Sequence, residues 1–152
     1  MAYTRTYYPR FNFLLTQCSG IIDDQALLIH LMSLSNELKS FSHIRELVDV
    51  RYLRNAKKIT ASGLIQNANV FHNLFSHMEF SSAVLINAPE DRKPVEIYLQ
   101  LFASPTMKFK VFEKNVVEAI RWLGYGEEDA VKIKRFTEKH TKPASTITGA
   151  SI

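Results

Sequence analysis

Cysteine, glycine and proline are scarce in this sequence, and long apolar runs are missing. The single cysteine, Cys18, excludes an internal disulfide framework and is typical of a protein from a reducing compartment. The five glycines do not form the spacing of a P-loop or a dinucleotide-binding loop. No apolar run approaches the roughly 18 residues of a membrane span, and MAYTRTYYPRFNF lacks the apolar centre of a signal peptide. We therefore expect a cytoplasmic protein with no transmembrane segment.

Length and charge restrict the class of protein further. A chain of 152 residues is typical of one domain with its own hydrophobic core. The net charge of +4 is mild, whereas a nucleic-acid-binding domain is expected to carry a clearly basic face. We therefore predict no nucleic-acid partner.

Five short runs have the alternating or wholly apolar pattern of β-strands, and longer runs between them have helical periodicity. The tight turn at Pro9-Arg10 makes the first two strands antiparallel, and Gly20 is predicted to end the second. Strands that alternate with helices predict an α/β domain with a mostly parallel sheet and the order β-β-α-β-α-β-α-β-α. The predicted strands are YTRTYY, FNFLLTQCS, IRELVDVRYL, SSAVLINA and MKFKVFEK.

Helix starts and apolar faces can also be predicted. Asp23 suits the N-cap of the first helix, and Asn115 with Glu118 forms a variant of the capping box before the last one. Pro94 suits the first turn of the third helix. The second helix, residues 61–77, is expected to bury Ala61, Leu64, Ala68, Phe71 and Phe75, and the third Val95, Tyr98, Leu101 and Phe102.

The C-terminal part is predicted to be separate from this domain, residues 1–126. Residues 127–142, with acids first and bases last, predict an extra helix whose thin apolar face either docks weakly or serves a partner. Residues 143–152 are small and polar and predict a flexible tail. The sequence leaves monomer and homodimer open.

The element order, the strand ending LVDVRYL and the closing KVFEKNVVEAIRWL resemble the STAS-domain superfamily. Within it, residues 4–125 are most similar to the SpoIIAA-like, SEC14-related bacterial branch. The resemblance implies a single STAS-like domain that acts as a regulatory, protein-binding module. Antagonists of this family carry Asp-Ser-Ser-Gly-Leu after the third strand and are phosphorylated on the first serine.

The matching segment here is Thr60-Ala61-Ser62-Gly63-Leu64. Thr60 replaces the aspartate, and Ala61, which has no hydroxyl, replaces the acceptor serine. The spacing favours neither Thr60 nor Ser62 as a substitute acceptor. From the residues themselves, Thr60 and Ser62 are interpreted first as caps of the second helix.

A basic run precedes that helix. Arg51, Arg54, Lys57 and Lys58 have no acid between them. A helix N-terminus at the carboxyl end of a parallel strand favours anions, so these bases, with Thr60, Ser62 and Gly63, are the candidate ligand- or partner-binding residues. The alternative is an ordinary solvated loop.

No group of residues predicts catalysis or a metal site. Asp49 interrupts an apolar strand and is a candidate functional carboxylate, although pairing with Arg51 is the simpler interpretation. The five histidines are scattered, and His72 and His77 lack the spacing of a zinc pair. We predict no catalytic residues, no metal and no cofactor.

The sequence thus predicts a non-enzymatic regulatory or interaction module. It would bind a protein partner or a small anionic ligand near the loop between the third strand and the second helix. The alternative is a carrier of lipid or another small apolar ligand, with a cavity between helices and sheet lined by phenylalanines.

Overall fold

A computed structural model describes residues 1–54 and 58–139 of the chain. The element order confirms the sequence prediction, β-β-α-β-α-β-α-β-α followed by one more helix. The strands are β1 (Ala2–Tyr8), β2 (Phe13–Ile21), β3 (His43–Arg54), β4 (Glu79–Ile86) and β5 (Met107–Glu113). The helices are α1 (Asp24–Leu38), α2 (Ala61–Phe75), α3 (Arg92–Gln100), α4 (Val116–Trp122) and α5 (Glu127–Lys139).

The five strands form one sheet in the order β1-β2-β3-β4-β5. β1 is antiparallel to β2, and every other neighbouring pair is parallel, as predicted. Because successive right-handed crossovers run in one direction across this sheet, the connecting helices α1, α2 and α3 share one face. The second face is covered by α4 and α5.

Each face of the sheet has its own apolar cluster, and alternate residues of a strand belong to different clusters. In β3, Ile44 packs with α1 and α2, while Leu47 packs with α4 and α5. On the first face five phenylalanine rings contact one another, with ring centroids between 4.6 and 6.3 Å apart. They are Phe71, Phe75, Phe80, Phe102 and Phe109.

The residues directly before α1, α2 and α4 each accept a backbone N–H with their side chain; the cap of α2 is part of the candidate site. Asp23 caps α1 through the N–H of Ala26 at 2.8 Å, and Asn115 caps α4 through the N–H of Glu118 at 3.0 Å. Both caps were predicted and are confirmed. Such a cap stabilises a helix by about 1 kcal/mol.

Some predicted details are wrong. Ala61 is exposed because it is the first residue of α2, and Leu101 is 41% exposed because α3 already ends at Gln100. β2 continues one residue past Gly20, which has a φ of +84°. The C-terminal helix is described to Lys139; its predicted last residues, 140–142, and the predicted tail, 143–152, lie outside the described part of the chain.

Candidate functional site

The segment before α2 ends in a helix cap made by Thr60. Its Oγ1 accepts the N–H of Gly63 at 3.0 Å. Ser62 does not cap this helix: it is exposed, and its Oγ lies 3.3 Å from Thr60 Oγ1. The cap interpretation of the sequence therefore holds for Thr60 but not for Ser62.

A carboxylate that the sequence did not indicate lies against this helix start. Asp24, the first residue of α1, accepts the Thr60 N–H with Oδ1 at 2.9 Å and the Thr60 hydroxyl with Oδ2 at 2.6 Å. A Cβ on Gly63 would lie 2.1 Å from Asp24 Cγ, so only glycine leaves room for this carboxylate. The available signals were a second aspartate at the start of α1 and a glycine in the first turn of α2, where other residues form helices better.

The four predicted bases do not act as one group. Arg51 turns back onto its own strand, where its Nη2 and Nε donate to the two carboxylate oxygens of Asp49 at 2.7 and 2.9 Å. The Arg51 N–H also donates to Asp49, at 3.1 Å. This carboxylate raises the pKa of Arg51, although partial burial opposes the shift. The Asp49 side chain is only 4% exposed, and Arg51 compensates its charge within the domain.

Arg54 and Lys58 are exposed, and neither forms an ion pair with the residues of 1–54 and 58–139. Lys57, the remaining predicted base, lies outside the described residues. In the register of the β2–β3 pair, Arg54 lies opposite Ile21 and Tyr52 lies opposite Ser19. Ile21 is 48% exposed and Tyr52 41% exposed. We call Ile21, Tyr52, Arg54 and Lys58 the end patch, because they lie at the carboxyl ends of β2 and β3 or just beyond.

Other reactive side chains are buried or separated. Burial raises the pKa of the Cys18 thiol to about 12, so this cysteine is protonated at neutral pH. Burial and the nearby Arg5 lower the pKa of His30 to about 3. Within residues 1–54 and 58–139, no three histidine, cysteine, aspartate or glutamate side chains are grouped as a metal site.

A surface depression of about 330 Å³ lies at the carboxyl end of β5 and includes no residue of the end patch. It is lined by residues 113–117, where β5 leads into α4, and by Lys134 of α5. The predicted lipid cavity would lie between helices and sheet; on the face covered by α1–α3 the phenylalanine cluster packs ring against ring. Across the described part of the chain, no helix has the length and apolar character needed to cross a bilayer.

Comparison with known proteins identifies the fold. No family model matches the chain, and no curated protein matches its sequence. Among solved structures, an uncharacterized protein of the DUF3478 family from Shewanella loihica PV-4, described as having a SpoIIAA-like fold, matches with a TM-score of 0.57. The match covers 80% of this chain and 94% of that one, at 13% identity. The fold of this chain is SpoIIAA-like.

The SpoIIAA-like fold that the sequence resemblance implied is thereby confirmed. The start of α2 follows the carboxyl end of β3, as the sequence analysis predicted. Because the identity is only 13%, the match supports the fold alone and assigns no role to any residue of this chain.

Proposed function

We propose that this SpoIIAA-like chain is a non-enzymatic interaction module that binds a protein partner through the end patch and the adjoining start of α2. One observation carries the proposal: two large apolar side chains, Ile21 and Tyr52, are nearly half exposed beside Arg54, which forms no ion pair within residues 1–54 and 58–139. Exposed apolar groups next to charged ones are typical of the centre and rim of a protein interface.

The charges around the patch indicate the chemistry of that partner. Asp49 is compensated by Arg51, and the side chains of Asp23 and Asp24 accept hydrogen bonds at the starts of α1 and α2. Within the described residues, Arg54 and Lys58 are the two bases of the end patch, and no carboxylate forms an ion pair with either. We propose a partner segment with an apolar side chain that covers Tyr52 and with carboxylates that meet the two bases.

The non-enzymatic part of the proposal is supported by the state of the hydroxyl and thiol groups. Thr60 Oγ1 is used in the helix cap and in the bond to Asp24, and Cys18 is a buried thiol. Ser62 Oγ has one neighbour, Thr60 Oγ1, and no histidine bonds to it among the described residues. A nucleophile activated by an adjacent base is thus not supported at this site.

Site-specific photocrosslinking tests the proposal. A photoreactive residue replaces Tyr52 in one protein and Ile97 of α3, an apolar residue that is 54% exposed, in a control protein. Each protein is expressed in its native cells and irradiated. We expect a discrete crosslinked species from position 52 only, and we expect Arg54→Glu with Lys58→Glu to abolish it.

The matched charge control is Lys93→Glu with Lys108→Glu, because both lysines are exposed and lie outside the end patch. These changes should leave the crosslink at position 52 intact. A crosslink that forms equally from positions 52 and 97, or one that survives reversal of Arg54 and Lys58, would refute the proposed surface.

The second candidate function is the lipid carrier. The observation in its favour is the phenylalanine cluster beneath α1–α3, and the close ring contacts in that cluster weigh against a large open space. Native mass spectrometry of protein purified without detergent decides between the two functions. A stoichiometric adduct of lipid mass would place the carrier first, and bare protein would leave the interaction module.

A further inference from the structure

The start of α2 already holds an anion, supplied by the protein itself. We infer that Asp24 is the built-in anion of α2 and that it closes this helix start to free phosphate and other external anions. Thr60 and Gly63 supply the hydrogen-bonding groups of this arrangement. The arrangement does not depend on the end patch or on a protein partner.

The hydrogen bonds at the start of α2 form a chain of donors that ends on the carboxylate of Asp24. The Gly63 N–H donates to Thr60 Oγ1, the Thr60 hydroxyl donates to Asp24 Oδ2, and the Thr60 N–H donates to Asp24 Oδ1. Both carboxylate oxygens thus receive a donor from the residue that caps α2. A phosphate could take these two donors only after the carboxylate has left.

The position of Asp24 favours a negative charge from two sides. It is the first residue of α1 and it contacts the N-cap of α2, so the partial positive ends of two 15-residue helices converge on it. Its backbone is also held, because the buried Asn67 of α2 donates to the Asp24 carbonyl at 3.1 Å. Main chain and side chain therefore fix the carboxylate at this place.

Gly63 provides the space that the carboxylate fills. A Cβ at this position would lie between 2.1 and 2.4 Å from the Cγ and the two oxygens of Asp24. Those atoms can move away only by breaking both bonds to Thr60. The glycine and the aspartate, 39 positions apart in the sequence, therefore form one arrangement.

The first experiment measures inorganic phosphate binding by NMR, through the backbone amides of Thr60 and Gly63. In the unaltered protein we expect small shifts that do not saturate. In Asp24→Ala we expect saturable shifts at these amides, and the control Asp91→Ala, an exposed aspartate, should behave like the unaltered protein. Saturable binding by the unaltered protein would overturn the inference, as would a folded Asp24→Ala protein without saturable binding.

The second experiment uses Gly63→Ala in two backgrounds, with the thermal midpoint of unfolding as the readout. In the unaltered background the new methyl group expels the carboxylate, so we expect the midpoint to fall. In the Asp24→Ala background the space is empty and alanine is the better helix former, so we expect the midpoint to rise. A shift of equal sign in both backgrounds would show that Gly63 does not serve Asp24, and the inference would fail.

Discussion

Two carboxylates on β3 are equally buried and are stabilised in opposite ways. Glu46 and Asp49 are each 3% exposed. Glu46 belongs to the face covered by α1–α3, where it accepts hydrogen bonds from the hydroxyls of Thr16 at 2.6 Å and Ser82 at 3.1 Å. Asp49 belongs to the other face, near the open end of the sheet, and is paired with Arg51.

The difference follows from what each carboxylate can reach. Burial raises the pKa of Glu46, and the two hydroxyls only partly oppose that shift. Burial therefore makes the charged form of Glu46 more costly than that of a carboxyl group in water, and the two hydroxyls offset part of this cost. Asp49 has a guanidinium at 2.7 Å whose side chain is 22% exposed, so the charge of the pair is shared with the solvent. In the sheet interior the carboxyl group is thus held by hydroxyl hydrogen bonds, and near the sheet end it is held by an ion pair.

The largest expected effect comes from removing the cation. Arg51→Ala leaves the Asp49 carboxylate buried without its partner, and we expect the free energy of unfolding to fall by about 3 kcal/mol. This figure is at the low end for buried pairs because the guanidinium reaches solvent. Urea unfolding at neutral pH measures the change.

Arg54→Ala is the matched control on the same strand, since Arg54 is exposed and unpaired within the described residues. We expect it to change the free energy of unfolding by less than about 0.5 kcal/mol. Equal costs for Arg51→Ala and Arg54→Ala would show that the Asp49–Arg51 pair does not stabilise the domain. Asp49 would then not be stabilised by pairing, contrary to the contrast with Glu46.

The second effect is a pH dependence that belongs to Glu46. Its pKa in the folded protein is raised above the ordinary value of 4.5, so its contribution to stability is complete below that value and is lost as the pH rises through the folded pKa. In Glu46→Gln this loss disappears. The difference between the variant and the unaltered protein should therefore grow in favour of the variant by up to about 1.4 kcal/mol per pH unit within that window.

Urea unfolding from pH 5 to pH 8 tests this expectation. Glu79→Gln serves as the control because Glu79 is exposed on the neighbouring strand. Stability curves of Glu46→Gln and the unaltered protein that stay parallel over this range would mean that Glu46 ionises without cost, contrary to its burial.

The sequence predicts well what depends on neighbouring residues. Alternation within IRELVDVRYL indicates a strand, and Asp23 and Asn115 cap helices whose amides lie three positions away. The order of elements along the chain, the antiparallel first pair and the mostly parallel sheet followed from the same local patterns. The burial errors at Ala61 and Leu101 fall at helix ends, where periodicity gives no information about solvent.

The candidate site depends on contacts that local patterns cannot reveal. Asp24 meets Thr60 across 36 positions, and Glu46 meets Ser82 across the same separation. The run RYLRNAKK suggested four bases acting together, whereas Arg51 is turned onto Asp49. The pairing of Asp49 with Arg51 was predicted from their positions on one strand and is confirmed, but the run of bases alone did not show that this pairing separates Arg51 from the other three.

The smallest effect separates the two hydroxyls that hold Glu46. Thr16→Val removes the shorter hydrogen bond while keeping the shape of the side chain, and we expect a loss of about 1 kcal/mol at pH 5. Ser82→Ala removes the longer bond and should cost less. Because the Thr16 bond lowers the pKa of Glu46, Thr16→Val should also extend the pH-dependent loss of stability to higher pH. If Ser82→Ala costs more than Thr16→Val, the carboxyl group is held mainly from β4, and the assignment of Thr16 as its principal partner is wrong.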